Sequence, residues 1–184
     1  MSAEQTSKSD PLAEIVQRCK LGQRAAQQEL YEACHQDVYA LMIRMVGRQD
    51  AADVTQQVFI QVFRKIDQFQ GSSKFKTWLY RLAVNESLQH LRKKKRHQSK
   101  TLAQDPLDTR PSRERQREAK DVLEAALGRL EPLLRSIFLL KESQGMSYRE
   151  IAEATNIPEG TVGSRLNRAR SQLREHLIEL GWEQ

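Results

Sequence analysis

The stretch from residue 147 to residue 170 constrains the fold most, because its residues predict two helices joined by a tight turn. Ser147 is a favourable N-cap residue, and Glu150 three positions later completes a capping box. Asn156 can adopt the left-handed conformation that ends a helix, and Pro158 suits the first turn of the next helix. The pattern therefore predicts a short helix, a turn and a longer helix.

The second of these helices has an apolar stripe and a polar face. At about 100° per residue, the stripe consists of Val162, Leu166, Ala169 and Leu173. The opposite face carries Gly160, Ser164, Asn167, Arg168 and Ser171. Because Arg, Asn and Ser can bond base edges or phosphates, we interpret the pair as a DNA-binding helix-turn-helix. The alternative is an ordinary helical hairpin with a solvated basic face.

The charge of the chain favours a polyanionic partner. The formal net charge is +6, from 30 Lys and Arg against 24 Asp and Glu. The excess is clustered, since residues 70–100 contain nine Lys or Arg and one acidic residue, Glu86. A clustered basic surface is typical of nucleic-acid binding.

Several classes of protein are not supported by the sequence. No apolar run approaches the roughly 20 residues that span a bilayer, and the N-terminus lacks the apolar core of a signal peptide. We therefore expect a cytoplasmic protein with no membrane insertion. Cys19 and Cys34 are too few and too far apart to indicate a disulfide framework or a zinc site. No nucleophile–base pair is visible, so we expect no catalytic residue, no metal and no cofactor.

Apolar residues recur at helical spacing along almost the whole chain, which predicts an all-α protein. The N-terminal helices are expected over residues 11–21, 24–46, 50–69 and 77–96. Residues 98–118 are rich in Pro, Asp and charged side chains and poor in apolar ones, so they are predicted to form a flexible linker. Four more helices follow. The expected architecture is two small helical domains, residues 10–97 and 119–180, joined by that linker.

The fourth helix carries a strip of residues spaced three and four apart. The strip consists of Trp78, Arg81, Asn85, Gln89 and Arg92. It offers a stacking surface together with hydrogen-bonding groups, which suits unpaired bases. The basic run at residues 92–96 follows and suits phosphates. The alternative is that Trp78 is a core residue and the basic run is a solvated tail.

Three segments resemble parts of the bacterial sigma-70-type factors, in the order of that family. DAADVTQQVF at residues 50–59 is similar to their core-polymerase-binding segment, and FKTWLYRLAVN at residues 75–85 is similar to their promoter-melting and minus-10 segment. SYREIA at residues 147–152, with GTV and SRLNRAR at residues 160–162 and 164–170, resembles their minus-35 helix-turn-helix. The short tether resembles the extracytoplasmic-function group, which keeps only sigma regions 2 and 4.

The resemblance implies partners and site residues. The third helix would dock on a coiled coil of the largest polymerase subunit through Asp53, Gln56 and Gln57, although family members often have Glu at the position of Gln57. The loop over residues 70–76 would capture a flipped minus-10 base. The implied minus-10 contacts are Ser72, Lys74, Lys76, Trp78, Arg81, Asn85, Gln89, Arg92 and Lys93. The implied minus-35 contacts are Thr161, Ser164, Arg165, Asn167, Arg168 and Ser171.

Gly163 departs from the family pattern, because Lys or Arg usually stands at this position. A glycine there removes a DNA contact and weakens the helix. Replacing Gly163 with Arg is therefore expected to raise the affinity for DNA.

The expected function is that of an extracytoplasmic-function sigma factor, with core RNA polymerase, promoter DNA and an anti-sigma factor as partners. The main alternative is a dimeric helix-turn-helix transcriptional regulator, which would leave the strip on the fourth helix unexplained. A helical RNA-binding adaptor would leave the capped helix pair unexplained.

Overall fold

A computed structural model describes residues 12–98 and 114–182, with only the backbone for residues 114–119. All regular structure in these two parts is helical, which confirms the all-α prediction. The α-helices are α1 (Ala13–Lys20), α2 (Arg24–Val46), α3 (Arg48–Lys65), α4 (Phe75–Gln98), α5 (Glu114–Arg129), α6 (Pro132–Glu142), α7 (Tyr148–Thr155) and α8 (Val162–Glu179). Short 3-10 turns lie at Ile66–Gln68 and Glu159–Thr161.

Helices α1 to α4 pack into an N-terminal unit around α2. The bounds predicted for α2 are confirmed, and so is its predicted core, which consists of Leu30, Val38, Leu41, Met42 and Met45. Gly47 ends α2 with a φ of 89°, a conformation that favours glycine. Because this single residue makes the turn, α3 begins at Arg48, two residues earlier than predicted. It ends at Lys65, where the chain tightens into the first 3-10 turn.

Helices α5 to α8 form a C-terminal unit that ends in the predicted helix pair. The capping box between Ser147 and Glu150 is present, and Asn156 adopts the left-handed conformation with a φ of 55°. Pro158 precedes a 3-10 turn instead of starting the helix, so α8 begins at Val162. The predicted apolar stripe of α8 is buried throughout.

The segment between the two units is described only at its ends. Helix α5 begins at Glu114, so residues 114–118, which the sequence assigned to the linker, are helical. Residues 99–113, the centre of the predicted linker, lie outside the described residues.

The two units pack against each other through α4 and α7 and through α2, α5 and α6, and one buried guanidinium lies at this interface. Arg135, in the second turn of α6, is 7% exposed. Its Nη1 donates to the carbonyl of Met45 in the last turn of α2 at 2.5 Å. Its Nη2 donates to the carbonyls of Gly128 at 2.5 Å and Leu130 at 3.1 Å, at the end of α5. One side chain therefore joins α5 to α6 and fastens both to the N-terminal unit.

Replacing Arg135 with Met should lower the free energy of unfolding by about 2 kcal/mol, because three carbonyls lose a charged donor while they stay partly enclosed. The measurement is urea denaturation followed by circular dichroism. Arg129→Met is the control, since Arg129 pairs with Glu179 on the surface and an exposed pair contributes less than about 1 kcal/mol. Equal losses for the two variants would contradict the role assigned to Arg135.

Candidate nucleic-acid and polymerase interface

The polar strip predicted on the fourth helix is exposed along α4, except at its first member. Arg81, Asn85, Gln89 and Arg92 are all exposed. Within the described parts of the chain, none of these four side chains forms a hydrogen bond or an ion pair. Their donors and acceptors are therefore available to a ligand, which is what a nucleic-acid surface needs.

Trp78 is buried, which corrects its placement on the exposed strip. Its side chain is 6% exposed, and its ring centroid lies 5.6 Å from the centroids of both Phe69 and Phe75. Phe69 lies before the loop and Phe75 is the first residue of α4, so the loop folds back over the first turn of this helix. The arrangement matches the alternative in which Trp78 is a core residue, and it anchors the loop to α4.

The loop over residues 70–76 presents its polar side chains at the surface. Gly71 has a φ of 74°, and Ser72 is exposed. Lys74 pairs with Glu150 of α7 at 3.3 Å, and Lys76 pairs with Asp37 of α2 at 3.1 Å. Both lysines are at least half exposed, so these ion pairs can exchange for other anions.

The basic run that ends α4 is exposed from residue 92 to residue 97. Lys93 lies in it with no polar partner among the described residues, whereas Lys94 and His90 both approach the same carboxyl oxygen of Asp50 at 3.0 Å. Partial burial raises the pKa of Asp50, but the close contacts with His90 and Lys94 outweigh it and bring the pKa below its ordinary value. Asp50 thus ties α3 to α4 and leaves Lys93 free.

The polar face of α8 points to solvent as predicted. Ser164, Asn167, Arg168 and Ser171 are exposed, and Thr161 is half-buried. The hydroxyl of Thr161 donates to the carbonyl of Pro158 at 2.8 Å, and that of Ser164 donates to the carbonyl of Thr161 at 3.0 Å. Arg168 has no polar partner among the described residues. The face therefore combines fixed hydroxyls with an unpaired guanidinium.

Arg165 lies on the flank of α8 and faces α4. It lines a groove of about 670 Å³ between the two units, together with Asn85, Arg92 and Lys95 of α4. A predicted minus-35 residue and two predicted minus-10 residues therefore share the wall of one groove in this arrangement.

The side chains predicted to bind polymerase share one surface of α3. Asp53, Gln56 and Gln57 are exposed. Gln56 borders a groove of about 530 Å³ between α2 and α3, whose walls carry aromatic residues that the sequence interpretation missed. These residues are Tyr31, His35, Tyr39, Phe59 and Phe63. Tyr31, His35 and Tyr39 recur every four residues along α2. This spacing in the sequence indicates that they share one face of the helix.

A polar contact joins the capped helix to the N-terminal unit. Oε2 of Glu150 accepts hydrogen bonds from the main-chain N–H and the hydroxyl of Ser147, each at 2.9 Å. Oε1 faces Lys74 at 3.3 Å and Thr77 at 3.5 Å. Partial burial raises the pKa of Glu150, but the bonds from Ser147 and Lys74 outweigh it and lower the pKa. Nearby, the Tyr80 hydroxyl is hydrogen-bonded to Gln144, and burial raises the pKa of Tyr80.

No group of three or more metal-ligating side chains occurs within residues 12–98 and 114–182. None of the helices in these parts combines the length and the apolar character that a membrane crossing requires.

Comparison with known proteins identifies relatives of both units. The family described as Sigma-70 region 2 matches residues 30–97, and the family described as Sigma-70, region 4 matches residues 120–173. The ECF RNA polymerase sigma-E factor of Haemophilus influenzae is 32% identical over 179 residues, which cover 90% of this chain and 95% of that protein. The RNA polymerase sigma-H factor of Pseudomonas aeruginosa is 34% identical over 182 residues, 91% of this chain and 94% of that protein.

A solved structure shares the fold. The sigma factor RpoE in complex with the anti-sigma factor NepR from Bartonella quintana has a TM-score of 0.69 and 25% identity, with 82% of this chain and 96% of that chain covered.

Replacing Trp78 with Ala should lower the free energy of unfolding by about 3–5 kcal/mol, because a buried indole is removed from an aromatic cluster. Urea denaturation measures the change. Trp182→Ala is the control, since Trp182 is 43% exposed and should cost clearly less. An unchanged midpoint for Trp78→Ala would contradict the core role.

Proposed function

The chain belongs to the extracytoplasmic-function group of the sigma-70 family, and we propose that its two units use separate surfaces to bind core RNA polymerase and promoter DNA. It is an RNA polymerase sigma factor that directs promoter recognition and transcription initiation. It is not an enzyme, because the polymerase performs the chemistry.

One observation carries the assignment of surfaces: in the described part of the chain, each of the two units exposes a polar face. The strip on α4 and the polar face of α8 both keep donors that no described residue uses. A dimeric helix-turn-helix regulator accounts for the face of α8 alone. A factor that reads two promoter elements accounts for both.

For the minus-10 element, we assign the contacts to the exposed side chains of the loop and of α4. Arg81, Asn85 and Gln89 would bond the edges of unpaired bases, and Arg92 and Lys93 would contact phosphates. Ser72, Lys74 and Lys76 would contact the strand at the loop. Trp78 would support this surface from below by fixing the loop to α4.

For the polymerase, we assign the contact to Asp53, Gln56 and Gln57 on α3. All three side chains are exposed, and the amide of Gln56 borders the aromatic groove, so a polar group lies at the edge of an apolar surface. This combination is typical of protein interfaces.

Binding both promoter elements requires the two units to move apart. Elements named minus-10 and minus-35 are about 25 base pairs apart, which corresponds to about 85 Å of duplex. In the arrangement described above, α4 and Arg165 of α8 line one groove, so the two faces cannot reach both elements together. The 15 residues at 99–113 reach at most about 50 Å when fully extended, which supplies much of the missing distance.

Two further assignments follow from the relatives. The RpoE structure contains an anti-sigma factor, and we propose a partner of this kind for the present chain. Because it acts with RNA polymerase, we also propose that this sigma factor is located in the cytoplasm.

The purified chain should allow core RNA polymerase to start transcription from a subset of a library of randomised promoter-length duplexes. The measurement is sequencing of the transcribed templates. Core enzyme alone is the control. Dimeric binding of the chain to duplex without polymerase, together with no transcript, would favour the regulator instead.

Replacing Arg168 with Ala should weaken binding of the holoenzyme to a matched minus-35 site by about 1–3 kcal/mol and relax its sequence preference, because Arg168 faces the major groove. Arg165→Ala is the matched control. It should weaken binding to all sequences evenly and lower the salt dependence, since Arg165 lies on the flank. Competition against single-base minus-35 variants at two salt concentrations measures both effects. An unchanged ranking for Arg168→Ala would show that the face is assigned wrongly.

A further inference from the structure

The first turn of α8 contains a glycine that is covered by an aromatic ring of α7. A Cβ placed on Gly163 would lie 3.4 Å from Cε2 of Tyr148 and 4.0 Å from its hydroxyl oxygen. These are van der Waals distances, so the ring of Tyr148 directly borders the space into which a side chain at position 163 would extend. The two positions therefore share one site on the surface.

The ring of Tyr148 also contacts a lysine of α6. The Nζ of Lys141 lies 5.5 Å from the ring centroid, within the range of a cation–π contact. The same Nζ donates to the carbonyl of Met146 at 3.2 Å, which fixes the lysine. Tyr148 nevertheless remains 42% exposed, and its hydroxyl bonds to none of the described residues. The ring is thus positioned while its polar end stays available.

The site lies at the edge of the DNA-facing surface of α8. Gly163 precedes Asn167 by one turn and lies about 40° from it around the helix axis. Tyr148 is the first residue of α7. In a helix-turn-helix the first helix crosses the phosphate backbone while the second lies in the major groove. The hydroxyl of Tyr148 therefore lies on the side where a phosphate passes.

We infer that Tyr148 takes the place of the side chain missing at Gly163 and donates a hydrogen bond from its hydroxyl to a DNA phosphate. The inference rests on the proposed recognition of the minus-35 element by α8. A neutral hydroxyl differs from a Lys or Arg in one measurable respect. It displaces no counterion from the duplex, so it adds affinity without steepening the salt dependence.

The test uses holoenzyme assembled from the full chain and core polymerase. The probe is the minus-35 duplex that the wild-type holoenzyme enriches from a randomised library. Tyr148→Phe keeps the ring and removes the hydroxyl, and it should weaken binding about three- to tenfold. The loss should be equal for the enriched duplex and for its single-base variants, and the slope of affinity against salt should not change.

The shared site predicts that the two positions are coupled. Gly163→Arg should displace the ring and steepen the salt dependence by about one counterion. In that background, Tyr148→Phe should have no further effect. Gly163→Ala is the matched control, because a single Cβ fits at 3.4 Å and leaves the ring in place. Tyr148→Phe should therefore keep its full effect in the Gly163→Ala background.

Each other outcome overturns the inference. Unchanged binding by Tyr148→Phe, with Arg168→Ala still impaired, rejects the hydroxyl contact and leaves the proposed minus-35 face intact. Equal effects of Tyr148→Phe in the Gly163→Arg and Gly163→Ala backgrounds reject the shared site. A loss of affinity that matches a loss of folded protein, measured by thermal denaturation, rejects a DNA contact. If Arg168→Ala also binds normally, the proposed face itself fails.

Discussion

The buried guanidinium of Arg135 links two units whose buried apolar residues also belong to one hydrophobic core. Helix C-termini leave carbonyls without intrahelical partners, and their dipoles present negative charge. Arg135 meets such carbonyls at the ends of two helices, those of Met45 in α2 and of Gly128 and Leu130 around the end of α5. Burial lowers the pKa of Arg135. The three carbonyl dipoles offset the cost of burying its charge, and no carboxylate takes part. Arg135 therefore links α5 to α6 within the C-terminal unit and also contacts the N-terminal unit.

Polar contacts between the units also include ion pairs with exposed partners, beside the buried Thr77 and Tyr80. Arg48 pairs with Glu124, and Lys74 pairs with Glu150, at the surface of the interface. Such pairs exchange for water and ions at a small net cost, typically below about 1 kcal/mol each. Apolar packing of α4 against α7 and of α2 against α5 and α6 adds to these polar contacts, and buried residues of both units belong to one hydrophobic core.

Local sequence predicted the features that are determined locally. The capping box at Ser147, the left-handed Asn156 and the buried stripe of α8 each depend on residues within a few positions. The burial of Trp78 depends on Phe69, which is nine residues earlier in sequence and reaches it only because the loop folds back. Helical spacing in α4 cannot indicate that contact. The aromatic groove has residues of both α2 and α3 in its walls, so the pattern of one helix does not reveal it. The contact of Arg135 with Met45 joins residues 90 positions apart.

Glu150 makes one set of contacts within the C-terminal unit and a separate set across the interface. One of its carboxyl oxygens caps α7 through Ser147, and the other faces Lys74 and Thr77 in the N-terminal unit. Separation of the units removes only the second set of contacts. The cap lies within the C-terminal unit, so α7 keeps its start and α8 keeps its position when the interface opens. Separation of the units, as proposed above for promoter binding, would release Lys74 from Glu150 and leave the cap of α7 in place.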